Sequence, residues 1–241
     1  MSRTIVVTGG GTGIGRAVAA RFVAAGDAVV ITGRRADVLA DAAAGLGPSA
    51  RALVCDGTDP GQVTAALAEV DGPIDVLVNN AGGNTDFDLP EGDGLAGVVA
   101  RWRANLDANL ISAVLATTAA ADRLREGGSV IHIGSIAADH GSGSYGAAKA
   151  GLASWNVELA GQLGGRGITA NVVAPGYIRE TEFFRDRLTG TRVEQLVAAT
   201  STGRAGVPDD IAETVFFLAS PGARHITGQT IGVNGGARTT R

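Results

Sequence analysis

The chain has 241 residues, 45% hydrophobic and 18% charged, with a formal net charge of −4. This composition excludes a disordered chain and allows a full buried core, and the acidic balance without a basic block excludes bulk attraction to nucleic acid. Glycine reaches 37 residues without the G-X-Y period of collagen.

The sequence opens as MSRTIVVTGG, directly in a strand pattern. No charged segment leads into an apolar stretch with a small-residue cleavage site. No apolar run approaches the ~18 residues of a spanning helix. A cytoplasmic protein without a membrane partner is expected. The single cysteine, Cys55, precludes an internal disulfide and reads as a buried thiol. His132 and His225 show no metal-ligand spacing, so no metal site is expected.

Thr4–Thr8 (TIVVT) reads as the first strand. It runs into TGGGTGIG, Thr8 to Gly15, which opens a helix predicted for Ile14–Ala25 and stopped by Gly26. Gly9, Gly13 and Gly15 permit a tight turn and let backbone N–H groups approach a pyrophosphate at the positive end of that helix. A structural turn at the sheet edge is the other reading. Ala28–Thr32 is the second strand, followed by a helix near Asp37–Leu46, a strand at Ala52–Cys55 and a helix near Gln62–Val70. Ile74–Asn80 is the fourth strand. A long helix is predicted from about Val98 to Arg125, and Ser129–Ile133 is the fifth strand. Tyr145 opens the next helix, Ile168–Ala174 is the sixth strand, helices follow near Val193–Ala199 and Asp209–Ala219, and Thr230–Asn234 closes the pattern. The least regular parts are Gly83–Gly97 and Ile178–Gly203, and long irregular loops in a compact domain are often functional. Most strands are continuous apolar runs, as when helices cover both sheet faces. Strand–helix alternation with short loops implies a parallel sheet of right-handed βαβ units. With no linker or repeat, one domain over residues 1–241 is expected.

In SYGAAKAG, Tyr145 and Lys149 stand four apart and project from one helix face, with Gly146, Ala147 and Ala148 leaving room for a flat ring. A free phenol titrates at ~10 and a free lysine at ~10.4. A nearby ammonium favours the phenolate, which moves Tyr145 toward the pH at which acid–base catalysis works. By itself this pair is also an ordinary helix face. Ser135 follows the fifth strand, at the carboxyl edge where α/β ligands bind. Its hydroxyl is suited to bonding a carbonyl oxygen and stabilising developing negative charge.

Several motifs occur together in order: TGxxxGxG, NNAG at Asn79–Gly82, Asn109 in DANL, Ser135 in IGS, YGAAK at Tyr145–Lys149, Pro175–Gly176, GRAGVPDDIA and ITGQTIGVNGG. The set resembles the short-chain dehydrogenase/reductase family and, within it, the 3-oxoacyl-[acyl-carrier-protein] reductases. The resemblance implies a Rossmann-type, doubly wound, seven-stranded parallel sheet in order 3-2-1-4-5-6-7, in a three-layer α/β/α sandwich. It implies a catalytic set of Asn109, Ser135, Tyr145 and Lys149. The tyrosine would protonate a carbonyl oxygen as hydride arrives, the lysine would also bind the nicotinamide ribose, and the asparagine would support a proton relay. It implies cofactor contacts from Gly9, Thr12, Gly13, Ile14 and Gly15, from Asp56 at the adenine, and from Asn80, Ala81 and Gly82 beside the ribose. Pro175, Gly176 and Ile178 would hold the carboxamide. Asp56 is otherwise a turn-capping residue, and Asn79 is expected to tie strands together.

An acidic residue ending the second strand would bind ribose hydroxyls and repel a 2′-phosphate. Here ITGRR places Gly33 at that point, followed by Arg34 and Arg35. Guanidinium groups pair bidentately with phosphate. NADP(H) is therefore the expected cofactor, with NAD(H) the alternative if the arginines only form a solvated turn.

The chain departs from the family pattern between Ser135 and Tyr145, where the gap is a few residues shorter than in most relatives. Within IAADHGSGS, read as short and flexible, Ser142 or Ser144 could replace Ser135, although Ser144 is better explained as a helix N-cap. His140 is a solvated loop residue or a substrate contact. Thr181 lies one position later than the usual lid threonine, and residues 178–203 are expected to form a substrate lid. Trp102 and Trp155 read as packing residues.

The reading is an NADP(H)-dependent oxidoreductase moving hydride between nicotinamide and a carbonyl or secondary alcohol of a small-molecule substrate, with a 3-oxoacyl thioester or related ketone leading. The alternatives are an NAD(H)-dependent alcohol or sugar dehydrogenase and a non-catalytic cofactor-binding regulator, and the complete Ser-Tyr-Lys-Asn set argues against the latter. Family resemblance also implies a homotetramer.

Overall fold

The computed structural model describes residues 2–88, 94–185 and 187–239. Residues 89–93 of the irregular stretch and residue 186 of the expected lid lie outside the described residues, as do the terminal residues 1, 240 and 241.

Seven strands form one sheet: β1 (Thr4–Thr8), β2 (Ala28–Gly33), β3 (Ala50–Val54), β4 (Ile74–Asn79), β5 (Leu124–Ile133), β6 (Thr169–Pro175) and β7 (Thr230–Val233). Their order is β3-β2-β1-β4-β5-β6-β7, all parallel. This is the implied Rossmann-type topology, with the strand order reversing between β1 and β4. Successive residues of β1 explain the apolar runs. Ile5 and Val7 pack with Val18 and Phe22 of α1 (Gly13–Ala24) and with Ile211 and Val215 of the helix Pro208–Leu218. Val6 faces the opposite layer, with Val63 and Leu67 of α3 (Pro60–Ala68) and Leu159 and Leu163 of α7 (Gly143–Gly164). Each such side chain contributes about 1.5–3 kcal/mol by burial, so a polar residue on either face of β1 would be costly.

Three local features differ from the sequence expectation. The long helix ends earlier than Arg125. α4 (Gly94–Leu106) passes through a π-helical turn at Asp107–Ile111 into α5 (Ser112–Ala120), and Leu124 already begins β5. The polar LREGG segment lacks the apolar run of the other strands and crosses a register shift opposite Ile74 and Val76. The loop after Ser135 is not structureless: it forms a short helix, α6 (Ala137–His140), whose final residue is exposed. Trp102 is 45% exposed and is not a core residue, whereas Trp155 packs on the core.

His132 is fully buried within β5. The Asn79 amide donates to its Nδ1 at 3.1 Å, while Asn79 also bonds Thr117 Oγ1 at 2.8 Å. Asn79 thus ties β4 to β5 and α5, as expected. Burial, reinforced by Lys149, holds His132 near pKa 3 against an ordinary 6.5. Below pH 6.5 the unfolded chain takes up a proton that the folded chain refuses, so stability falls as pH drops from 6.5 toward about 3. The expected slope from this group is about 1.4 kcal/mol per pH unit in that window. Urea unfolding at a series of pH values checks it: His132→Gln removes this part of the slope, and an unchanged slope contradicts the assignment.

Candidate active site

The site forms at the carboxyl edge of the sheet, where β1, β4, β5 and β6 end. Apolar strand ends stop at polar or glycine-rich turns there, so the following residues are set by the sheet but not buried within it. Beyond β1, Gly9 adopts a left-handed conformation (φ 66°), and a Cβ there would sit 2.8 Å from Ala81 Cα. Gly15 is tighter: a Cβ would meet Gly9 O at 2.3 Å and Asn80 Nδ2 at 2.4 Å. Asn80 Nδ2 donates to Thr8 O and Gly9 O, both at 3.0 Å, and Thr8 Oγ1 accepts from Asn80 N and Ala81 N. The glycine-rich turn and the NNAG segment are thereby a single packed unit. Thr8 was not among the predicted site residues, although its place at the strand end, before three glycines, was the available signal.

Thr12 stands at the N-cap of α1 without a side-chain capping bond. The backbone N–H groups of Gly13, Ile14 and Gly15 therefore remain open toward an anion, at the positive end of the helix. The open helix end and the glycine cradle fit a pyrophosphate.

Beyond β2, Arg35 lies at the N-cap of α2 (Ala36–Leu46), and Arg34 forms no hydrogen bond or ion pair among the described residues. Asp56 Oδ1 accepts from Thr58 N at 2.9 Å and Thr58 Oγ1 at 2.8 Å, which holds its carboxyl below the ordinary range. Its turn-capping role is thus present. Cys55 is buried, and burial pushes its thiol up.

The π turn positions Asn109. Ser112 N–H reaches back five residues to Asp107 O, which breaks the regular ladder around the asparagine. Asn109 Oδ1 accepts from Gly83 N at 3.0 Å, and its Nδ2 donates to Gly83 O at 2.9 Å and Asn105 O at 3.0 Å. Asn105 is equally buried and was missed. It accepts from Thr85 N and donates to Asp86 Oδ1 at 3.1 Å and Ser144 Oγ at 2.9 Å. The repeat in ANLDANL, two asparagines one helical turn apart, was its signal. Ser144 is inside α7 and not its N-cap, since the helix starts at Gly143 after Ser142. Its hydroxyl is engaged by Asn105 and Asp86, and the serine hydrogen-bonded to Tyr145 is Ser135.

Tyr145 is 7% exposed and Lys149 4% exposed on the sheet-facing side of α7. Lys149 Nζ donates to Ile133 O at 2.8 Å and stands 5.9 Å from the centre of the Tyr145 ring. Burial pushes Tyr145 up to about 12, opposed by a hydrogen bond with Ser135, and pushes Lys149 down to about 8. The expected downward tuning of Tyr145 by Lys149 is therefore not found. Desolvation sets the direction for both groups: the same burial that raises the phenol disfavours the ammonium. Part of that cover comes from the 178–203 segment: Phe183 packs on Tyr145 with ring centres 5.4 Å apart.

The start of the 178–203 segment is tied to the Gly206 loop. Gly206 N donates to Tyr177 O at 3.0 Å and Arg179 N to Gly206 O at 2.9 Å, beside Ile178. Arg204 and Val207 N–H, both bonded to Asp210, hold the Gly206 loop in turn. Beyond this tie, Thr181 approaches Gly13, with Thr181 Cγ2 only 3.4 Å from where a Gly13 Cβ would be. Glu182 pairs with Arg35 across the glycine-rich turn, and Arg185 pairs bidentately with Asp88 at 2.7 Å. Phe87, Tyr177, Phe183 and Phe184 form an aromatic cluster over Tyr145. In the described residues no cluster of His, Cys, Asp or Glu could hold a metal ion, and no helix is long and apolar enough to cross a membrane.

The sheet order, with the glycine-rich turn and Ser135, Tyr145 and Lys149 gathered at its carboxyl edge, defines a fold of the Rossmann type. Comparisons with known proteins carry this further. A family model described as Enoyl-(Acyl carrier protein) reductase matches residues 9–238. The chain is 37% identical to the short-chain reductase protein NovJ of Streptomyces niveus, covering 96% of this chain and 92% of that one. It is 36% identical to the 3-oxoacyl-[acyl-carrier-protein] reductase FabG of Escherichia coli strain K12, covering 96% and 95%. Among solved structures, a blue fluorescent protein from a metagenomic library, in complex with NADPH, superposes with a TM-score of 0.86 at 35% identity over 98% of both chains. A dehydrogenase/reductase from Sinorhizobium meliloti 1021 superposes with a TM-score of 0.88 at 32% identity, covering 99% of this chain and 96% of that one. The chain belongs to the short-chain dehydrogenase/reductase family and resembles its 3-oxoacyl-[acyl-carrier-protein] reductases.

Proposed function

We propose that the chain is an NADP(H)-dependent oxidoreductase acting between a carbonyl and a secondary alcohol, with a 3-oxoacyl thioester or a related ketone as substrate. The observation that carries this reading is the convergence of Ser135, Tyr145, Lys149 and Asn109 on the sheet edge beside an uncapped helix N-terminus. Gly9 and residues 12–15 hold the pyrophosphate, Asp56 the adenine, Asn80, Ala81 and Gly82 the neighbouring ribose, and Pro175, Gly176 and Ile178 the carboxamide. Arg34 and Arg35 meet the 2′-phosphate. Bound nicotinamide supplies or accepts the hydride. In the reductive direction Ser135 Oγ bonds the substrate carbonyl oxygen, and Tyr145 Oη delivers the proton to it. Lys149 binds the nicotinamide ribose and, with a pKa near 8, exchanges a proton close to neutrality behind Tyr145. Asn109 supports that relay from the opened helical turn. The NADPH bound to the metagenomic neighbour and the reductase activity in the FabG name accord with the reading.

The cofactor assignment is tested by titrating NADPH and NADH against Arg34→Ala, followed by fluorescence. The NADPH dissociation constant is expected to rise about tenfold, since a charge-assisted contact is lost, with NADH unaffected. An unchanged NADPH constant would remove Arg34 from the site.

The same reading takes residues 1–241 as one cytoplasmic oxidoreductase domain with its lid at 178–203, assembled as a homotetramer. Support for assembly comes from an exposed apolar stripe on α4, where Leu95, Val98, Val99 and Trp102 recur at helical spacing; Ile111 and, on α7, Val157 are exposed as well. Light scattering is expected to give a mass near four times the 24.1 kDa chain; a mass of one chain contradicts it.

A further inference from the structure

The guanidinium of Arg35 is engaged by a carboxylate from a distant part of the chain. Arg35 Nη2 lies 2.7 Å from Glu182 Oε2, and Nη1 lies 3.4 Å from Oε1. The two residues are 147 positions apart, one at the end of β2 and the other in the lid. Both are more than half exposed, so the pair contributes little to folding and is readily exchanged. The lid segment that carries Glu182 is bounded by two non-glycine residues in the left-handed region, Glu180 (φ 61°) and Arg185 (φ 47°). Such positions persist only where surrounding contacts enforce them. Arg185 is held by Asp88, and Thr181 by Ile178 O and the surface of Gly13. The segment is therefore fixed so that Glu182 projects over the cofactor cradle toward Arg35.

We propose that Glu182 is a specificity-determining residue that lowers the preference for NADPH over NADH, because its carboxylate occupies the guanidinium that a 2′-phosphate would take. This rests on the NADP(H) reading above and deepens it. A carboxylate and a phosphate both match the guanidinium fork, so one displaces the other. A 2′-phosphate entering beside Glu182 also meets a like charge at close range. NADH carries no such group and leaves the pair intact. The acid that NAD-preferring relatives carry at the end of β2 is absent here, where Gly33 stands. Glu182 brings an acidic group to the same corner from the lid.

Dissociation constants for NADPH and NADH, measured by calorimetry on wild type, Glu182→Gln and Glu180→Gln, test the proposal. Glu180→Gln removes the same charge two positions away from a residue paired with Arg179, not Arg35. Glu182→Gln is expected to tighten NADPH about two- to fivefold, the scale of an exposed ion pair, and to leave NADH unchanged, while Glu180→Gln leaves the ratio of the two constants unchanged. A wild type that prefers NADPH, with a ratio that Glu182→Gln does not alter, overturns the proposal alone. A wild type without NADPH preference whose ratio Glu182→Gln moves toward NADPH supports the proposal and overturns the NADP(H) reading. Failure of every protein to bind either nucleotide overturns both.

Discussion

Tyr145→Phe is expected to lower turnover by about three orders of magnitude, within the range that positioned acid–base groups supply, while NADPH binds as before. The substitution removes one hydroxyl and leaves the ring. The phenyl group still packs against Phe183, whose ring centre is 5.4 Å away, and still fills its buried place on α7. Only the bond between the phenol and Ser135 is lost. The loss of one buried hydrogen bond changes stability by about 1 kcal/mol, so a large fall in rate cannot be traced to unfolding. Steady-state kinetics together with nucleotide titration and a urea midpoint separate these effects. Retained turnover would remove Tyr145 from the proton transfer, and a parallel loss of NADPH binding would make its role structural.

Gly15→Ala carries the second large expectation: loss of nucleotide binding together with about 1–3 kcal/mol of stability, the cost of overpacking a tight contact. The added methyl would stand 2.3 Å from Gly9 O, a backbone atom that cannot rotate away, and 2.4 Å from the Asn80 amide. Relieving either contact displaces the turn or releases the Asn80 bonds to Thr8 and Gly9. Gly11→Ala is the control. Its nearest neighbour is the Val38 Cγ1 methyl at 3.1 Å, a side chain able to yield. Calorimetric titration and urea unfolding of the two variants are expected to diverge, with Gly11→Ala near wild type. Gly15→Ala binding NADPH at wild-type strength would show that the cradle does not hold the nucleotide.

The sheet was legible because both of its faces are covered. Runs such as TIVVT and VLVN need no polar alternation, and each became a strand within a residue or two of its expected limits. Asn79 was legible for a related reason, since an amide ending an apolar strand must find buried partners. β5 was misjudged at its start because LREGG extends past the register shift without an apolar run. The π turn has no distinctive composition: DANLI continues the helical pattern on both sides. The Tyr145–Lys149 pair was located by its spacing, but its electrostatics were not. Spacing reports that two groups share a helix face and is silent on how deeply both are buried, which here governs both pKa shifts. The least legible contacts join segments far apart in the chain. The pairs Arg35–Glu182 and Asp88–Arg185, and the packing of Phe183 on Tyr145, depend on the course of the 178–203 segment. No local pattern encodes that course.

Hydride transfer between a nicotinamide and a carbonyl carbon at this site is the step on which the proposed function stands. It is tested most directly with NADPH deuterated at C4, incubated with the protein and a panel of 3-oxoacyl thioesters and ketones, with products read by mass spectrometry. The expected product is an alcohol that gains one deuterium from a single face of the C4 position, with none transferred by Tyr145→Phe. Tight NADPH binding with no label transferred to any carbonyl would contradict it.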